Sequence, residues 1–128
     1  MTTLETLTAV RAVIEHPENW TIGIRKDPRG THGYAYCALG AFDEVLDEWA
    51  ADDDPAVAVL ARAMSFEQFT RAFHRYVQLC NAKPGAAGIV AQFNNTSTHA
   101  EVIALIDRAI SRQRTIEQML IIPAEVMS

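Results

Sequence analysis

The sequence contains few of the features that assign a chemistry directly. It has two cysteines, Cys37 and Cys80, which are too far apart for a Cys-x-x-Cys redox or metal motif. Its four histidines are scattered, whereas zinc sites commonly pair two ligands at short spacing. We therefore expect no metal site and no cofactor, and two free thiols in a reducing compartment.

Long hydrophobic runs and positive charge are also scarce. No apolar run approaches the roughly 20 residues that a membrane-spanning helix needs. The first residues, Met-Thr-Thr-Leu-Glu-Thr-Leu, lack the basic and apolar regions of a signal peptide. The formal net charge is −5, whereas nucleic-acid binders usually carry a basic stripe. The sequence predicts a cytoplasmic protein that binds neither a membrane nor nucleic acid.

Most of the recognisable patterns in the sequence indicate helices. The 128 residues are 49% hydrophobic and 21% charged, which is typical of one globular domain, expected over residues 1–128. In a capping box, a hydroxyl and a Glu or Gln side chain each satisfy a free backbone N–H at a helix start. This pattern predicts helix starts at Thr2, Ser65 and Thr98. The helix from Ser65 would follow a shorter one that runs from Pro55 to about Met64. Its residues expected to point inward are Phe66, Phe69, Phe73, Val77 and Cys80. Apolar spacing predicts a further helix from Cys37 to about Ala50, with both tryptophans in the core.

Gly40 stands inside that predicted helix. A glycine there costs about 1 kcal/mol relative to alanine. We therefore expect another part of the chain to approach the backbone closely at Gly40.

The segment from Trp20 to Tyr36 predicts a β-hairpin. Apolar and other residues alternate from Trp20 to Arg25, which is the pattern of a half-buried strand. Asp27-Pro28-Arg29-Gly30 is typical of a type I turn. Tyr34–Tyr36 would then be the return strand.

A second apolar run, Ile89–Phe93, follows a glycine-rich loop and predicts a short third strand. The predicted fold is therefore α+β, a mostly helical single domain with a β-hairpin and a short third strand. Residues 115–128 could extend the last helix or add an edge strand, and Pro123 would end either one.

Three motifs follow one another along the chain: Trp20, then Cys-Ala-Leu-Gly-Ala from Cys37, then Phe93-Asn94-Asn95 followed by Thr98-His99. In this order they resemble a family of small uncharacterised bacterial and phage proteins. The resemblance covers about residues 4–112 and implies a shared fold and surface, but no activity. The sequence departs from the family at Asn95, where aspartate is common, and lacks the Pro-Gly often found in that turn.

The polar run from Asn94 to His99 is the main candidate site, because functional residues concentrate at such junctions. Asn94, Asn95 and His99, with free N–H groups of the following helix, could hold a small anion or a partner carboxylate. The same side chains could instead bond their own backbone. Tyr34 and Tyr36 are further binding candidates, because aromatic side chains on a hairpin can form a platform.

Cys37 and His99 form the candidate catalytic pair. A helix N-terminus can lower the pKa of a thiol. His99 could then act as base, with Asn94 or Asn95 orienting it as in Cys-His-Asn hydrolases. The alternative is that Cys37 is a small core residue.

Our preferred hypothesis is a non-catalytic binding or regulatory module whose partner is an unknown protein or a small anionic ligand. One alternative is a Cys-His-dependent hydrolase or transferase. Another is a phage-type inhibitor of a host protein that acts through the acidic residues Asp43, Glu44, Asp47, Glu48 and Asp52–Asp54. The sequence leaves open whether copies of the chain associate.

Overall fold

The computed structural model describes residues 1–29, 33–70 and 85–127. Within these residues the α helices are α1 (Thr3–Val13), α2 (Ala38–Leu46), α3 (Pro55–Thr70), α4 (Ala86–Asn95) and α5 (His99–Met127). Strands β1 (Lys26–Pro28) and β2 (Tyr34–Tyr36) pair as an antiparallel hairpin. The fold is α+β and mostly helical, as the sequence predicts. Among the helices that the structure describes, none is both long and apolar enough to cross a membrane.

The hydrophobic core lies between the helices. Helix α1 packs on α2 and α5, and α3 packs on α4 and α5. Phe42 of α2 and Phe93 of α4 are fully buried, together with Leu60 of α3 and Ile106 of α5. Burying a side chain of this size stabilises the fold by about 1.5–3 kcal/mol. The core therefore fixes the relative positions of the loops that join these helices.

The capping boxes at Thr2 and Thr98 are confirmed. The Thr2 hydroxyl accepts from the Glu5 N–H at 3.1 Å, and the Thr2 N–H donates to the Glu5 carboxylate at 3.3 Å. The corresponding distances between Thr98 and Glu101 are 3.2 and 2.9 Å. Each pair satisfies two backbone donors that the first turn of the helix leaves free.

The predicted helix start at Ser65 is wrong. Helix α3 runs without a break from Pro55 to Thr70, so Ser65 lies inside it. The alanine-rich stretch before Ser65 favours continued helix, and a cap forms only where the preceding chain is not helical. Phe66, predicted to point inward, is consequently 73% exposed. The side chains of the other residues predicted to point inward, Phe69, Phe73, Val77 and Cys80, lie outside the described part of the structure.

The predicted third strand, Ile89–Phe93, is wrong. These residues lie in helix α4, whose N-cap is Gly85. A short apolar run fits a buried helix as well as a strand, and periodicity alone does not separate the two. Val90 and Phe93 are both fully buried in the helical conformation. The helix also brings the following residue, Asn94, into the core.

The first strand of the hairpin begins later than predicted. Trp20 forms only an isolated bridge with Tyr36, and the pairing strand is Lys26–Pro28. Ile22 and Ile24, expected on a half-buried strand, are 51% and 50% exposed. The side chains of Asn94 and Asn95, in α4, form hydrogen bonds with the backbone of Thr21 and Gly23 in this segment. These backbone groups are therefore not available for pairing in a sheet.

The predicted turn Asp27–Gly30 is also displaced, because its first two residues belong to β1. The Arg29 N–H donates to the Gly33 carbonyl oxygen at 2.8 Å, and the last residue of the predicted turn, Gly30, lies outside the described residues. Gly33 has a φ of 81°, which glycine adopts more readily than other residues. The return strand Tyr34–Tyr36 is confirmed.

Helix α2 ends at Leu46, earlier than the predicted Ala50. Asp47 adopts a left-handed conformation with a φ of 53°, which terminates the helix. Trp49 therefore leaves the apolar stripe of α2 and is 73% exposed. The prediction that Trp49 lies in the core is wrong.

Helix α5 extends to Met127, so residues 115–127 of the ambiguous segment are helical, and residue 128 lies outside the described residues. The predicted end at Pro123 is wrong. A proline inside a helix removes one backbone hydrogen bond and favours a kink, but it does not oblige the helix to end.

Candidate functional site

Asn94 is the buried centre of the polar junction and is fully enclosed. Its Oδ1 accepts hydrogen bonds from Trp20 Nε1 at 2.7 Å and from the Ala38 N–H at 3.0 Å. Its Nδ2 donates to the Thr21 carbonyl oxygen at 3.0 Å and to Asn95 Oδ1 at 3.3 Å. These four bonds use the full capacity of the amide group. Asn94 thus ties the loop before the hairpin to the start of α2, and it has no bonding position left for a ligand.

Asn95 is exposed, and its Oδ1 also accepts the Gly23 N–H at 2.8 Å. Gly23 has a φ of 80°, a conformation that other residues rarely adopt. Asn95 therefore fixes the backbone of the loop that leads to β1 at the glycine with positive φ. An aspartate, which the resemblance implies at this position, would offer the same acceptor oxygen.

His99 is the first residue of α5, and its Nε2 lies 2.6 Å from the Ile14 carbonyl oxygen. Since a carbonyl oxygen only accepts, the Nε2–H is the donor. The imidazole ring also lies 5.6 Å from the Trp20 ring, tilted by 59°. His99 therefore holds the end of α1 against the junction. The Thr98 capping box uses the backbone N–H groups of Thr98 and Glu101, and the His99 Nε2–H is used by Ile14.

Cys37 is the N-cap of α2, and its Sγ accepts the Gly40 N–H at 3.3 Å. The side chain is nearly buried, with 5% exposure. Burial raises the pKa of the Cys37 thiol, and the backbone N–H groups of Gly40 and Leu39 oppose this effect only in part. A nucleophilic cysteine needs the opposite shift, toward the thiolate.

The structure places Cys37 beside Asn95. Cys37 and Asn95 line a cavity of about 90 Å³ together with Gly23, Leu39 and other residues. That volume corresponds to roughly three water molecules. In the described part of the chain, no hydrogen bond joins Cys37 to His99. Cys37 Sγ and His99 Nε2 bond instead to backbone groups of Gly40 and Ile14, respectively.

The close approach expected at Gly40 is confirmed. A Cβ atom at this position would overlap the carbonyl oxygen of Arg25. The loop before β1 therefore rests directly on the backbone of α2, and only glycine permits that contact.

Arg25 and Trp49 form a contact that sequence reasoning missed. The guanidinium carbon of Arg25 lies 3.5 Å from the centroid of the Trp49 ring, a cation–π geometry. Nη1 of the same arginine donates to both oxygens of Asp43, at 2.6 and 2.8 Å. No spacing in the sequence points to this triplet, because it depends on the loop folding back over α2.

Tyr34 and Tyr36 lie on β2 with their ring centroids 6.3 Å apart. Tyr34 is 46% exposed, and the Lys26 ammonium lies 4.2 Å from the centroid of its ring. Tyr36 is half-buried; burial, followed by the charge of Glu44, raises the pKa of its phenol. Of the two predicted binding tyrosines, Tyr34 is thus the more accessible.

Three of the acidic residues proposed as an inhibitory face act as acceptors within the fold. Asp43 pairs with Arg25 and also accepts the Ala50 N–H at 2.7 Å. Asp52 accepts the Ala87 N–H at 2.9 Å, and Asp54 accepts the Ala51 N–H at 2.8 Å. These three carboxylates therefore accept hydrogen bonds from within the fold. Within the described ranges, no group of three or more His, Cys, Asp or Glu side chains could hold a metal ion.

A protein family described as a family of unknown function (DUF6197) matches residues 1–112. The chain belongs to this family, which confirms the resemblance found in the sequence. No curated protein matches the chain, and no solved structure matches it. The family match therefore covers the chain up to the middle of α5 and assigns it no activity.

Proposed function

We propose that the chain is a non-catalytic binding module that engages a protein partner through its hairpin surface, defined as Ile22, Ile24, Lys26, Tyr34 and Trp49. The observation that carries this proposal is the exposure of four large apolar side chains around one short segment. Ile22, Ile24 and Tyr34 are 46–51% exposed, and Trp49 is 73% exposed. Exposed groups of large apolar side chains are typical of interaction sites.

The backbone beneath the hairpin surface is held in place. Asn94 binds the Thr21 carbonyl, Asn95 binds the Gly23 N–H, and the Arg25 carbonyl rests on Gly40. A surface that is already ordered loses less conformational entropy on binding. This arrangement supports a recognition role for side chains that contribute little to the core.

The chemistry of the surface favours a partner that presents an apolar side chain beside a carboxylate. Tyrosine and tryptophan supply a large contact area at low entropic cost and are common at binding hot spots. Lys26 stands over the Tyr34 ring and, among the residues described, forms no ion pair. Its charge is therefore available to a partner carboxylate.

The proposal is tested by comparing proteins captured by the wild type, by an Ile22→Ser/Ile24→Ser variant, and by a Phe66→Ser control. The control removes a similarly exposed apolar side chain from α3, away from the hairpin surface. A specific partner should be retained by the wild type and the control and lost by the double variant. Calorimetry with that purified partner should then give a Kd at least about tenfold weaker for the double variant, or 1.4 kcal/mol. Equal affinity of the double variant and the wild type would contradict the proposal.

The charge of Lys26 is tested separately with the same partner. Lys26→Glu should raise the Kd by a larger factor at low salt than at high salt, because salt screens interactions between exposed charges. Arg29→Glu alters another exposed cation, outside the surface as defined, and should have a smaller effect. An equal effect of the two substitutions would remove Lys26 from the proposed surface.

A further inference from the structure

The outer edge of the hairpin runs along β1. In an antiparallel ladder, residue pairs that exchange backbone hydrogen bonds alternate with pairs that do not. The Arg29 N–H donates to the Gly33 carbonyl oxygen, which makes this a hydrogen-bonded pair. The next such pair along the register is at Asp27, and Lys26 lies one position beyond it. The N–H and C=O of Lys26 therefore point away from β2.

The opposite edge of the hairpin, along β2, is already used. The carbonyl oxygen of Tyr36, which lies opposite Lys26, accepts the Thr21 N–H at 3.1 Å on the side of β2 that faces away from β1. In the described part of the chain, by contrast, no group bonds the N–H or the C=O of Lys26. Lys26 and Pro28 are both exposed. The edge of β1 is thus open to solvent.

The open edge offers one hydrogen-bond donor and two acceptors. Lys26 supplies its N–H and its C=O, whereas Pro28 has no N–H and supplies only its carbonyl oxygen. An extended segment that runs antiparallel to β1 can bond all three groups. One residue of the segment exchanges both bonds with Lys26, and the residue two positions earlier donates its N–H to Pro28. A short edge strand with a lysine and a proline resists unselective pairing, so this one register is favoured.

A second copy of the chain fits this edge poorly. Two β1 strands paired about a two-fold axis keep two hydrogen bonds in either of two registers. One register sets Lys26 opposite its own copy, and the other sets Asp27 opposite its own copy, although Arg29 offsets part of that charge at 3.3 Å. Like charges directly opposite each other destabilise a strand pair. The edge therefore favours a partner that differs from the chain itself.

Charge selects the side chain that faces Lys26 across the new pair. The Lys26 ammonium lies 4.2 Å from the centroid of the Tyr34 ring, and it forms no ion pair with any residue that the structure describes. The nearby carboxylate of Glu44 lies beside the phenol of Tyr36. Opposite charges that face each other across two strands stabilise their pairing. A glutamate or aspartate of the partner thus complements this position.

We propose that the partner of the hairpin surface binds by strand addition, with an extended segment antiparallel to β1, a carboxylate side chain opposite Lys26 and an apolar side chain opposite Pro28. This inference rests on the proposed function and specifies how that surface recognises its partner. In strand addition, main-chain hydrogen bonds give affinity and side chains at alternate positions give selectivity. Lys26 and Pro28 lie on the same face of β1, so the two recognised side chains are two positions apart in the partner.

Amide hydrogen exchange of the full chain, measured by NMR, tests whether the edge is open. After correction for intrinsic rates, the Lys26 N–H should exchange at least about tenfold faster than the Asp27 N–H, because only the latter is bonded to β2. Equal exchange at the two positions would overturn the proposal. Protection of Lys26 that increases with protein concentration alone would also overturn it, because a second copy would then occupy the edge.

The probe for the edge is a synthetic peptide, acetyl-Thr-Val-Thr-Glu-Val-amide. In the proposed register its glutamate lies opposite Lys26 and its first valine lies opposite Pro28. The peptide should slow exchange of the Lys26 amide and leave that of Asp27 unchanged. N-methylation of the glutamate removes the donor to the Lys26 carbonyl and should raise the Kd at least about tenfold. The matched control is N-methylation of the second threonine, whose N–H points away from β1, and it should bind like the parent peptide.

Two results with the peptides would overturn strand addition. One is unchanged exchange of Lys26 at millimolar peptide, and the other is equal affinity of the two N-methylated peptides. The proposed function fails by a different measurement, retention of the partner by the Ile22→Ser/Ile24→Ser variant. If that variant loses the partner while the peptides leave Lys26 unaffected, the hairpin surface stands and only the mode of binding falls.

Discussion

The indole N–H of Trp20 donates a hydrogen bond of 2.7 Å to Oδ1 of Asn94, which lies 74 positions later in the chain. This bond joins the segment before the hairpin to the last residues of α4. The same oxygen also receives the first N–H of α2, so one amide group organises three parts of the molecule. The exposed hairpin surface is built on this buried polar centre.

Replacing Asn94 by alanine should destabilise the fold by about 3 kcal/mol or more. The substitution leaves the Trp20 N–H, the Ala38 N–H and the Thr21 carbonyl without a protein partner, at about 1–3 kcal/mol each when buried. Urea unfolding measures the loss. Asn95→Ala is the control and should cost only about 1 kcal/mol, since Asn95 is exposed. Equal losses would show that Asn94 is not the structural centre.

Gly40→Ala should destabilise the protein, although alanine is about 1 kcal/mol better than glycine in an open helix. The added Cβ would overlap the Arg25 carbonyl oxygen, and this neighbour is backbone that cannot rotate away. The free energy of unfolding should therefore fall, and the loop that carries Ile24 should become more susceptible to proteolysis. A stabilised variant with unchanged proteolysis would contradict the close contact.

Cys37 should make the fold less stable at alkaline pH. Its pKa is raised in the folded chain by burial, so the unfolded chain ionises first as the pH rises. The resulting stability is fully present below the ordinary thiol pKa of about 8.5 and is lost as the pH rises through the higher folded value. Tyr36 acts in the same direction, since its pKa is also raised by burial.

Unfolding measured between pH 7 and 10 should therefore show a smaller alkaline loss for Cys37→Ala than for the wild type. Alkylation of Cys37, located by peptide mass spectrometry, should also be slow in the native chain and fast in urea. Rapid alkylation of the native thiol at neutral pH would instead revive the hypothesis of a reactive cysteine.

Asp43→Ala should cost about 1–3 kcal/mol, because Asp43 accepts hydrogen bonds from the Arg25 guanidinium and from the Ala50 N–H. Its side chain and that of Arg25 are only 23% and 22% exposed, so solvent screens the pair incompletely. Glu48→Ala removes a nearby exposed carboxylate and should change stability by about 0.5 kcal/mol or less. Urea unfolding of both variants makes the comparison, and similar losses would show that Asp43 is only a solvated surface charge.

Local patterns predicted the features whose causes are local. The capping boxes at Thr2 and Thr98 form because each donor and acceptor pair lies three residues apart in the same turn. The same pattern failed at Ser65, because the preceding chain is already helical there. Likewise, Ile89–Phe93 could satisfy either a strand or a helix, and packing against α3 selects the helix.

The features of the candidate site also separate into those with local causes and those that depend on tertiary packing. The sequence by itself determined a mostly helical α+β fold, the polar junction at Asn94 and the need for glycine at position 40, since composition, spacing and backbone propensity are properties of neighbouring residues. Only the tertiary structure decided that Asn94 is buried, that Cys37 and Asn95 line the same small cavity, and that Trp49 stacks on Arg25 in solvent. These relationships join residues distant in the chain, and their energies arise only after the helices pack and bring them together.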